Sequence, residues 1–359
     1  MNSLKIGLGD RSYPIYITTD YSFIGECLKK AGIDGKLVVI TDHNVDKYQS
    51  ADFMRVLQTS GYSAEKYVLE PGENSKKLGT LESIYRYLIR MKLDRKSALI
   101  AFGGGVVGDI TGFAASTYLR GIDFIQVPTT LLAQADSSVG GKTGIDFEGA
   151  KNIIGSFYQP RLVYINVNSL RTLPVREMRA GLAEVIKHGV IQDRKFFYYI
   201  HNNIDKIFNY DEEVLKYMSK INCSIKGNVV EQDEKENDMR AVLNFGHTIG
   251  HAIESVSKFT FLHGECVSVG MIGSCKMSQY MGMISENVTT HIAETLKKAG
   301  LPVKVNGIDR EIVYQTLFYD KKIKKGKLLF ILPKDIGEVV QRFVDDEDLI
   351  KRVLSEVIE

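Results

Sequence analysis

The stretch "SALIAFGGGVVGDITGF", residues 97–113, decides how the first half of the chain is read. Its apolar run Ser97–Phe102 suits a buried strand. Gly103, Gly105 and Gly108 then follow in the spacing G-x-G-x-x-G, ahead of a segment able to be helical. A strand that turns through glycines into a helix can aim backbone N–H groups at a pyrophosphate. The same glycines also suit a tight turn that holds no ligand. The rest of the chain has to separate the two readings.

Working outward, "KLVVITD" (36–42), "AEKYVLE" (64–70), "DFIQVPTT" (123–130) and "RLVYINVN" (161–168) are further strand candidates. Helical spacing runs between them, through Leu57 and again over "NSKKLGTLESIYRYLIRMKL" (74–93). Strand and helix in alternation predict an α/β fold with a Rossmann-like, mostly parallel sheet. Beyond Asn168 the spacing turns helical, as in "PVREMRAGLAEVIKHGVI", "DEEVLKYMSKINCSIKGNVVEQD" and "NFGHTIGHAIESVS". Only "KLLFILP" (327–333) and "GEVVQRFV" (337–344) resemble a hairpin. The expectation is an α/β nucleotide-binding domain over 1–170 and a mainly α-helical domain over 171–359, with a ligand cleft between them.

Bulk composition narrows the function classes. A chain of 359 residues accommodates two cores, and 44% hydrophobic with 25% charged residues is ordinary for a water-soluble protein. A net charge of +2 makes no electrostatic case for nucleic acid. No apolar run approaches the ~18 residues of a membrane span, and "MNSLKIGLGDRSY" breaks its apolar pattern too early for a signal peptide. Cys27, Cys223, Cys266 and Cys275 form no C-x-x-C pair and read as buried reduced thiols of a cytoplasmic protein.

The glycine loop needs a ribose-binding carboxylate if it holds a dinucleotide. Asp123 fits poorly, because it starts a strand. Asp42 fits better, since it closes the strand "LVVITD" with Asn44 two residues on. The next strand is followed by Glu73 and Lys76, and "DFIQVPTT" ends in Thr129 and Thr130. Each could be a polar helix cap, but several strand ends carrying ligand-competent residues together favour a nucleotide.

The helical half carries a possible metal set. "NFGHTIGHAIE" spaces His247 and His251 one turn apart, with Thr248 where a zinc peptidase would need Glu. His263 in "FLHGE" adds an imidazole, and "GLAEVIKHG" supplies Glu184 with His188 one turn later. Two imidazoles and a carboxylate leave a metal position open to substrate oxygens. Nearby sequence places Lys142, Lys151, Lys187 and Arg240 in glycine-rich or apolar settings, where Lys142, Lys151 and Asn152 suit a phosphate or carboxylate.

Taken jointly, "GGGVVGDITGFAASTYLRGIDFIQVPTTLLAQADSSVGGKTGID", "KNIIGSFYQP", "TLPVREMRAGLAEVIKHG" and "RAVLNFGHTIGHAIE" closely resemble the 3-dehydroquinate synthase family of sugar-phosphate cyclases, from about Thr41 to "DKK" at 320–322. Asp146 and Ala150 stand where the family more often has Asn and Gly, and "VYINVN" lacks a common Asp. The resemblance implies an NAD- and divalent-metal-dependent homodimer that turns 3-deoxy-D-arabino-heptulosonate 7-phosphate (DAHP) into 3-dehydroquinate. The metal would be zinc, with cobalt as a substitute. It implies metal ligation by Glu184, His247 and His263. Nucleotide contacts would come from Asp42, Asn44, Glu73, Lys76, Gly104, Gly105, Asp109, Thr129, Thr130, Lys142, Lys151, Thr172 and Glu177. Catalytic groups would be Lys187, His251, Asp136 and Glu236. Substrate would be held by Lys142, Asn152, Lys226, Arg240, Asn244, Lys321 and Lys322, with Arg120 reaching the phosphate in the neighbouring subunit. The rivals are sister cyclases that form 2-deoxy-scyllo-inosose or epi-valiolone, and a metal-dependent alcohol dehydrogenase of the glycerol dehydrogenase type.

Overall fold

Runs such as Leu37–Ile40 and Ala98–Phe102 are apolar at every position, so a strand built from them must be covered on both faces. The computed structural model, which describes all residues except 237–238, 259, 319–322 and 325–326 and only the backbone of 323–324, shows that arrangement. The strands are β1 (Asn2–Ile6), β2 (Tyr13–Thr18), β3 (Leu37–Asp42), β4 (Ala64–Leu69), β5 (Ala98–Gly103), β6 (Asp123–Pro128), β7 (Lys142–Phe147), β8 (Ala150–Phe157) and β9 (Leu162–Asn166). Seven of them form one sheet in the order β1-β2-β9-β6-β5-β3-β4, and β7 pairs with β8 in a hairpin. All pairs in the sheet are parallel except β1 with β2.

Period-two alternation splits the sheet's side chains between two apolar layers. Leu37, Val39, Ile100 and Phe102 pack with Ile24, Phe53 and Leu57 on one face. Val38, Ile40, Leu99 and Ala101 pack with Leu81, Ile84, Val107 and Ile110 on the other. Fully burying one such side chain is worth roughly 1.5–3 kcal/mol, so the two layers dominate this unit's stability.

Packing divides the chain into two compact units. The first is Met1–Pro174 together with Tyr210–Glu231, and the second is Val175–Asn209 with Gln232–Glu359. The chain passes from the first unit to the second after Pro174 and returns to the first over Tyr210–Glu231. Most of the helix Glu212–Gln232 returns to the first unit, where Asn222 Nδ2 donates to Ala135 O at 2.7 Å and Gly227 lies against Ile6.

The second unit is mainly helical: Val175–Gln192, Arg194–Phe208, His247–Val256, His263–Tyr280, Glu286–Lys298, Arg310–Leu317 and Glu347–Val357. Its strands β10 (Ile323–Lys324), β11 (Lys327–Asp335) and β12 (Glu338–Val344) form an antiparallel sheet containing the expected hairpin. The α/β class, a Rossmann-like sheet region followed by a largely helical one, is as the sequence predicts. Two regions differ from expectation. β1 and β2 were not anticipated, and the segments carrying Lys142, Lys151 and Asn152, not among the strand candidates, are the β7–β8 hairpin.

Candidate functional site

In the first unit, β3 and β5 are neighbours whose onward connections run to opposite sides, β3 to β4 and β5 to β6. Such a reversal opens a crevice at the carboxyl ends of the two strands, the usual ligand position in open parallel sheets. Asp42 ends β3 and Gly103 ends β5, so the carboxylate and the glycine loop meet at that crevice because of strand order. The loop glycines are not there for unusual dihedrals, since none has a positive φ. They provide room: a Cβ at Gly103 would fall 2.6 Å from Val107 Cγ2, and one at Gly108 would fall 3.0 Å from Gln126 Oε1. The helix Gly105–Thr117 starts there with Gly104 as its cap, leaving N–H groups for an anion.

Asp42 also caps the turn that follows it, its Oδ1 accepting from the Asn44 and Val45 amides at 2.8 and 3.0 Å. Thr130 Oγ1 caps the Ala133 amide at 3.1 Å, whereas the buried Thr129 hydroxyl has no hydrogen-bond partner. Thr172 accepts from Gln49 Nε2 at 2.8 Å and is exposed. Glu177 belongs to the second unit.

Lys76 is 4% exposed and joins two predicted groups. Its ammonium donates to Asp109 Oδ2 at 2.6 Å and to Asn152 Oδ1, with Glu73 at 3.9 Å. Burial works against that charge, but Asp109 and Glu73 outweigh it and raise the Lys76 pKa. Burial pushes the Asp109 carboxyl up, with Lys76 opposing. We take the pair as ionised, since the two charges are in direct contact. Asn152 has a φ of 52° and donates its amide to Asp146 Oδ1 at 2.8 Å. Lys142 and Lys151 are exposed on the same hairpin. The Lys226 ammonium contacts Asp136 Oδ1 at 2.8 Å and also its carbonyl. Arg120 is exposed on a turn where Leu119 and Arg120 have φ of 50° and 67°.

In the second unit, backbone contact between helices builds a cluster of its own. A Cβ at Gly264 would lie 2.0 Å from Ala180 O, and one at Gly270 would lie 1.9 Å from Gly246 O. These glycines let His263–Tyr280 approach both Val175–Gln192 and His247–Val256 closely. The approach brings Glu184, His247 and His263 together. Glu184 is fully buried, with its Oε2 paired to the Lys187 ammonium. Its Oε1 has no hydrogen-bond partner, yet His247 Nε2 and His263 Nε2 stand 3.6 and 3.7 Å away. Donors held tetrahedrally at ~2.0–2.1 Å around a metal sit about 3.3 Å apart, so the gap and the orphaned oxygen fit a divalent ion.

The outer nitrogens support the same geometry. His247 Nδ1 lies 3.1 Å from Phe245 O, and His263 Nδ1 lies 3.0 Å from Glu254 Oε2. A carbonyl and a carboxylate only accept, so both Nδ1 atoms carry the proton and Nε2 faces the gap. Burial would raise the Glu184 carboxyl, but Lys187, His247 and His263 hold it well below the ordinary range. Burial pushes His247 well down. It opposes the His263 proton too, but Glu184 and Glu254 raise that pKa to about 9, and a bound cation would displace the proton.

His251 is exposed beside this set, its ring 5.1 Å from that of His247 and 5.7 Å from that of His263. His247, His251 and His263 together also have metal-ligand spacing. Arg240 is 2% exposed; its amide donates to Asp233 Oδ2 at 3.0 Å and its Nη1 to Glu234 O at 2.7 Å. Asn244 closes the same turn, and Glu236 has a φ of 58°. Lys321 and Lys322 lie outside the described residues. Glu254 was missed by sequence reasoning, although it follows His247 and His251 at positions i+7 and i+3 on one helix.

Comparison with known proteins bears on both units. A 3-dehydroquinate synthase of Acetivibrio thermocellus is 61% identical over 356 residues, 99% of each chain. A crystal structure of 2-deoxy-scyllo-inosose synthase with carbaglucose-6-phosphate, NAD+ and Co2+ superposes with a TM-score of 0.90 at 26% identity, over 99% of this chain and all of that one. A 2-epi-5-epi-valiolone synthase from Streptomyces hygroscopicus with NAD+ and Zn2+ shares the fold at a TM-score of 0.89 and 22% identity, over 96% of each chain. The family models for the 3-dehydroquinate synthase N-terminal and C-terminal regions match residues 66–180 and 181–323, and the chain belongs to the 3-dehydroquinate synthase family.

Proposed function

We infer that the chain is a 3-dehydroquinate synthase, a phosphorus–oxygen lyase of the shikimate pathway that converts DAHP to 3-dehydroquinate and phosphate. The observation that carries this reading is the buried Glu184 oxygen without a partner, facing two imidazole nitrogens at 3.6 and 3.7 Å. Glu184, His247 and His263 would hold the metal; zinc suits two imidazoles and a carboxylate, and cobalt takes the same donors. When bound, NAD supplies a hydride acceptor restored in each turnover, and the metal supplies a Lewis acid for the substrate's hydroxyls.

The chain's own residues do the rest. Asp42 and Asn44 hold the nucleotide ribose. Gly104 and Gly105 offer backbone amides, with Glu73, Lys76, Asp109, Thr129, Thr130, Lys142, Lys151, Thr172 and Glu177 completing the nucleotide contacts. Lys142 and Asn152 bind the substrate phosphate. Arg240 and Asn244 bind its carboxylate, with Lys226, Lys321 and Lys322 as further contacts. Lys187 and His251 hold and pass protons at Nζ and the ring nitrogens, supported by Asp136 and Glu236. Keeping one substrate conformer in place through elimination and ring closure is the main contribution of so many fixed donors.

Apart from Glu177, the proposed nucleotide and phosphate contacts lie in the first unit, and the proposed metal and carboxylate contacts lie in the second. We assign a homodimer in which Arg120 reaches the partner's substrate phosphate, supported by large apolar side chains exposed on the same unit, Leu119 beside it and Phe147, Ile153 and Phe157 on the β7–β8 hairpin. Four buried cysteines held in no disulfide support a reducing, cytoplasmic setting, and no described helix is long and apolar enough to cross a membrane.

The test is phosphate release from DAHP by pure protein, with and without NAD and a chelator. We expect turnover that needs both cofactors, stops on chelation without unfolding, and accumulates no NADH. Stoichiometric NADH supports the dehydrogenase reading instead. Arg240→Lys separates the sister cyclases, because lysine keeps the charge but not the paired hydrogen bonds to a carboxylate. We expect kcat/KM for DAHP to fall ~10–100-fold with melting unchanged, a loss of ~1.4–2.8 kcal/mol. Near-normal DAHP kinetics with a lowered melting temperature would make Arg240 structural.

A further inference from the structure

The helix His247–Val256 presents His247, His251 and Glu254 at successive turns. Glu254 is 8% exposed and hydrogen-bonded through Oε2 to His263 Nδ1 at 3.0 Å. His263 itself is the least enclosed member of the metal set, its side chain 30% exposed against 1% for Glu184 and 11% for His247. It also opens its helix, with no preceding helical turn to restrain its ring. His247 is fixed differently, by the carbonyl of Phe245 in its own chain segment.

From this geometry we propose that Glu254 is a positioning residue: it fixes the ring and tautomer of His263, and thereby sets the affinity of the Glu184, His247 and His263 set for a divalent metal. The proposal rests on the metal reading above. A carboxylate behind a ligating imidazole orients the ring and makes its inner nitrogen a better donor, and such partners are commonly worth 10–100-fold in metal affinity. Glu254 also adds a second negative charge to the neighbourhood of Glu184, which favours a dication over a monovalent ion.

The experiment measures the dissociation constants for Zn2+ and Co2+ of wild type, Glu254→Gln and Glu254→Ala by chelator competition, together with the visible spectrum of the Co2+ form and the melting temperature of each metal-free protein. We expect Glu254→Ala to bind metal 10–100-fold more weakly and to shift the Co2+ bands. Glu254→Gln, whose carbonyl still accepts from Nδ1, should recover part of the affinity and the wild-type spectrum. The NAD dissociation constant, read by fluorescence, should not move. Equal metal affinity in wild type and Glu254→Ala overturns the proposal. A common loss of affinity in both variants, tracking a fall in metal-free melting temperature, overturns it too. A wild type that binds neither metal overturns the metal reading itself.

Discussion

The two units reach a binding surface by different physical routes. In the sheet unit, Asp42, Gly103 and Thr129 sit at the ends of adjacent parallel strands, so the ladder register alone brings them level. In the helical unit, Glu184, His247 and His263 come from three helices, and only close backbone approach makes them neighbours. A strand-end residue can therefore be exchanged with local consequences. A helix-borne cluster depends on glycines outside it, such as Gly264 and Gly270, that let the backbones meet.

That difference is broken most severely at Gly264. Its Cβ would lie 2.0 Å from a backbone oxygen of the neighbouring helix, which no rotamer change relieves. We expect Gly264→Ala to cost about 3 kcal/mol or more and to weaken metal binding by moving His263 from Glu184. The control is Gly79→Ala on the helix Leu78–Arg90, where nothing lies within 4 Å of the added carbon. There the same substitution should stabilise by roughly 0.4–1 kcal/mol. Urea unfolding of both variants with metal titration decides it, and equal effects at the two positions would erase the distinction.

A smaller effect is expected at Asp42, where capping and ligand binding can be separated. Asp42→Ala loses the cap together with the proposed ribose hydrogen bonds, the latter worth roughly 1.5–3 kcal/mol each. Asp42→Asn keeps a competent cap and loses only the charge. We expect NAD to bind at least tenfold more weakly to Asp42→Ala. Asp42→Asn should lie between it and wild type, with normal melting. An unchanged NAD dissociation constant in both would leave Asp42 as a cap alone.

The smallest effect concerns the Asp46–Lys66 ion pair in the sheet unit, whose side chains are 25% and 33% exposed. Burial raises the Asp46 carboxyl, but Lys66 and Ser50 outweigh it and leave the pKa below its ordinary 3.8. The stabilisation is therefore complete above 3.8 and is lost as pH falls through the lower folded value. Exposure limits it to below about 1 kcal/mol. The unfolding free energies of wild type and Asp46→Asn should converge on acidification, and a gap that widens would remove the pair from the account.

The same contrast explains what the sequence made legible. The parallel strands could be read because a strand buried on both faces is an unbroken apolar run, as in Leu37–Ile40. The hairpin of β7 and β8 escaped notice because Gly144 and Gly155 resemble loop residues. In the structure their missing side chains let the two strands meet, since a Cβ at Gly155 would fall 2.1 Å from Thr143 O. β1 is largely exposed and polar and gives little apolar signal. In the site, the metal residues were recognisable as residue types. The Gly264 and Gly270 contacts that assemble them join positions far apart in sequence, which periodicity does not register. The Lys76 bridge to Asn152 was hidden for the same reason, because Asn152 lies on the hairpin that was not foreseen.

The return of Tyr210–Glu231 to the sheet unit has a consequence for synthesis of the protein. A nascent chain that has emerged only as far as Pro174 has every strand of the central sheet but lacks the helix that brings Asn222 to Ala135 and Lys226 to Asp136. At ~5–20 residues per second, that sheet waits on the order of several seconds for its missing helix. During the wait, the apolar face of the helix's future seat is open to chaperones and to other nascent chains. Ribosomes that stall within residues 175–231 should therefore yield a sticky, incomplete first unit. Cutting the gene at the apparent domain boundary would make the same unfinished product permanent.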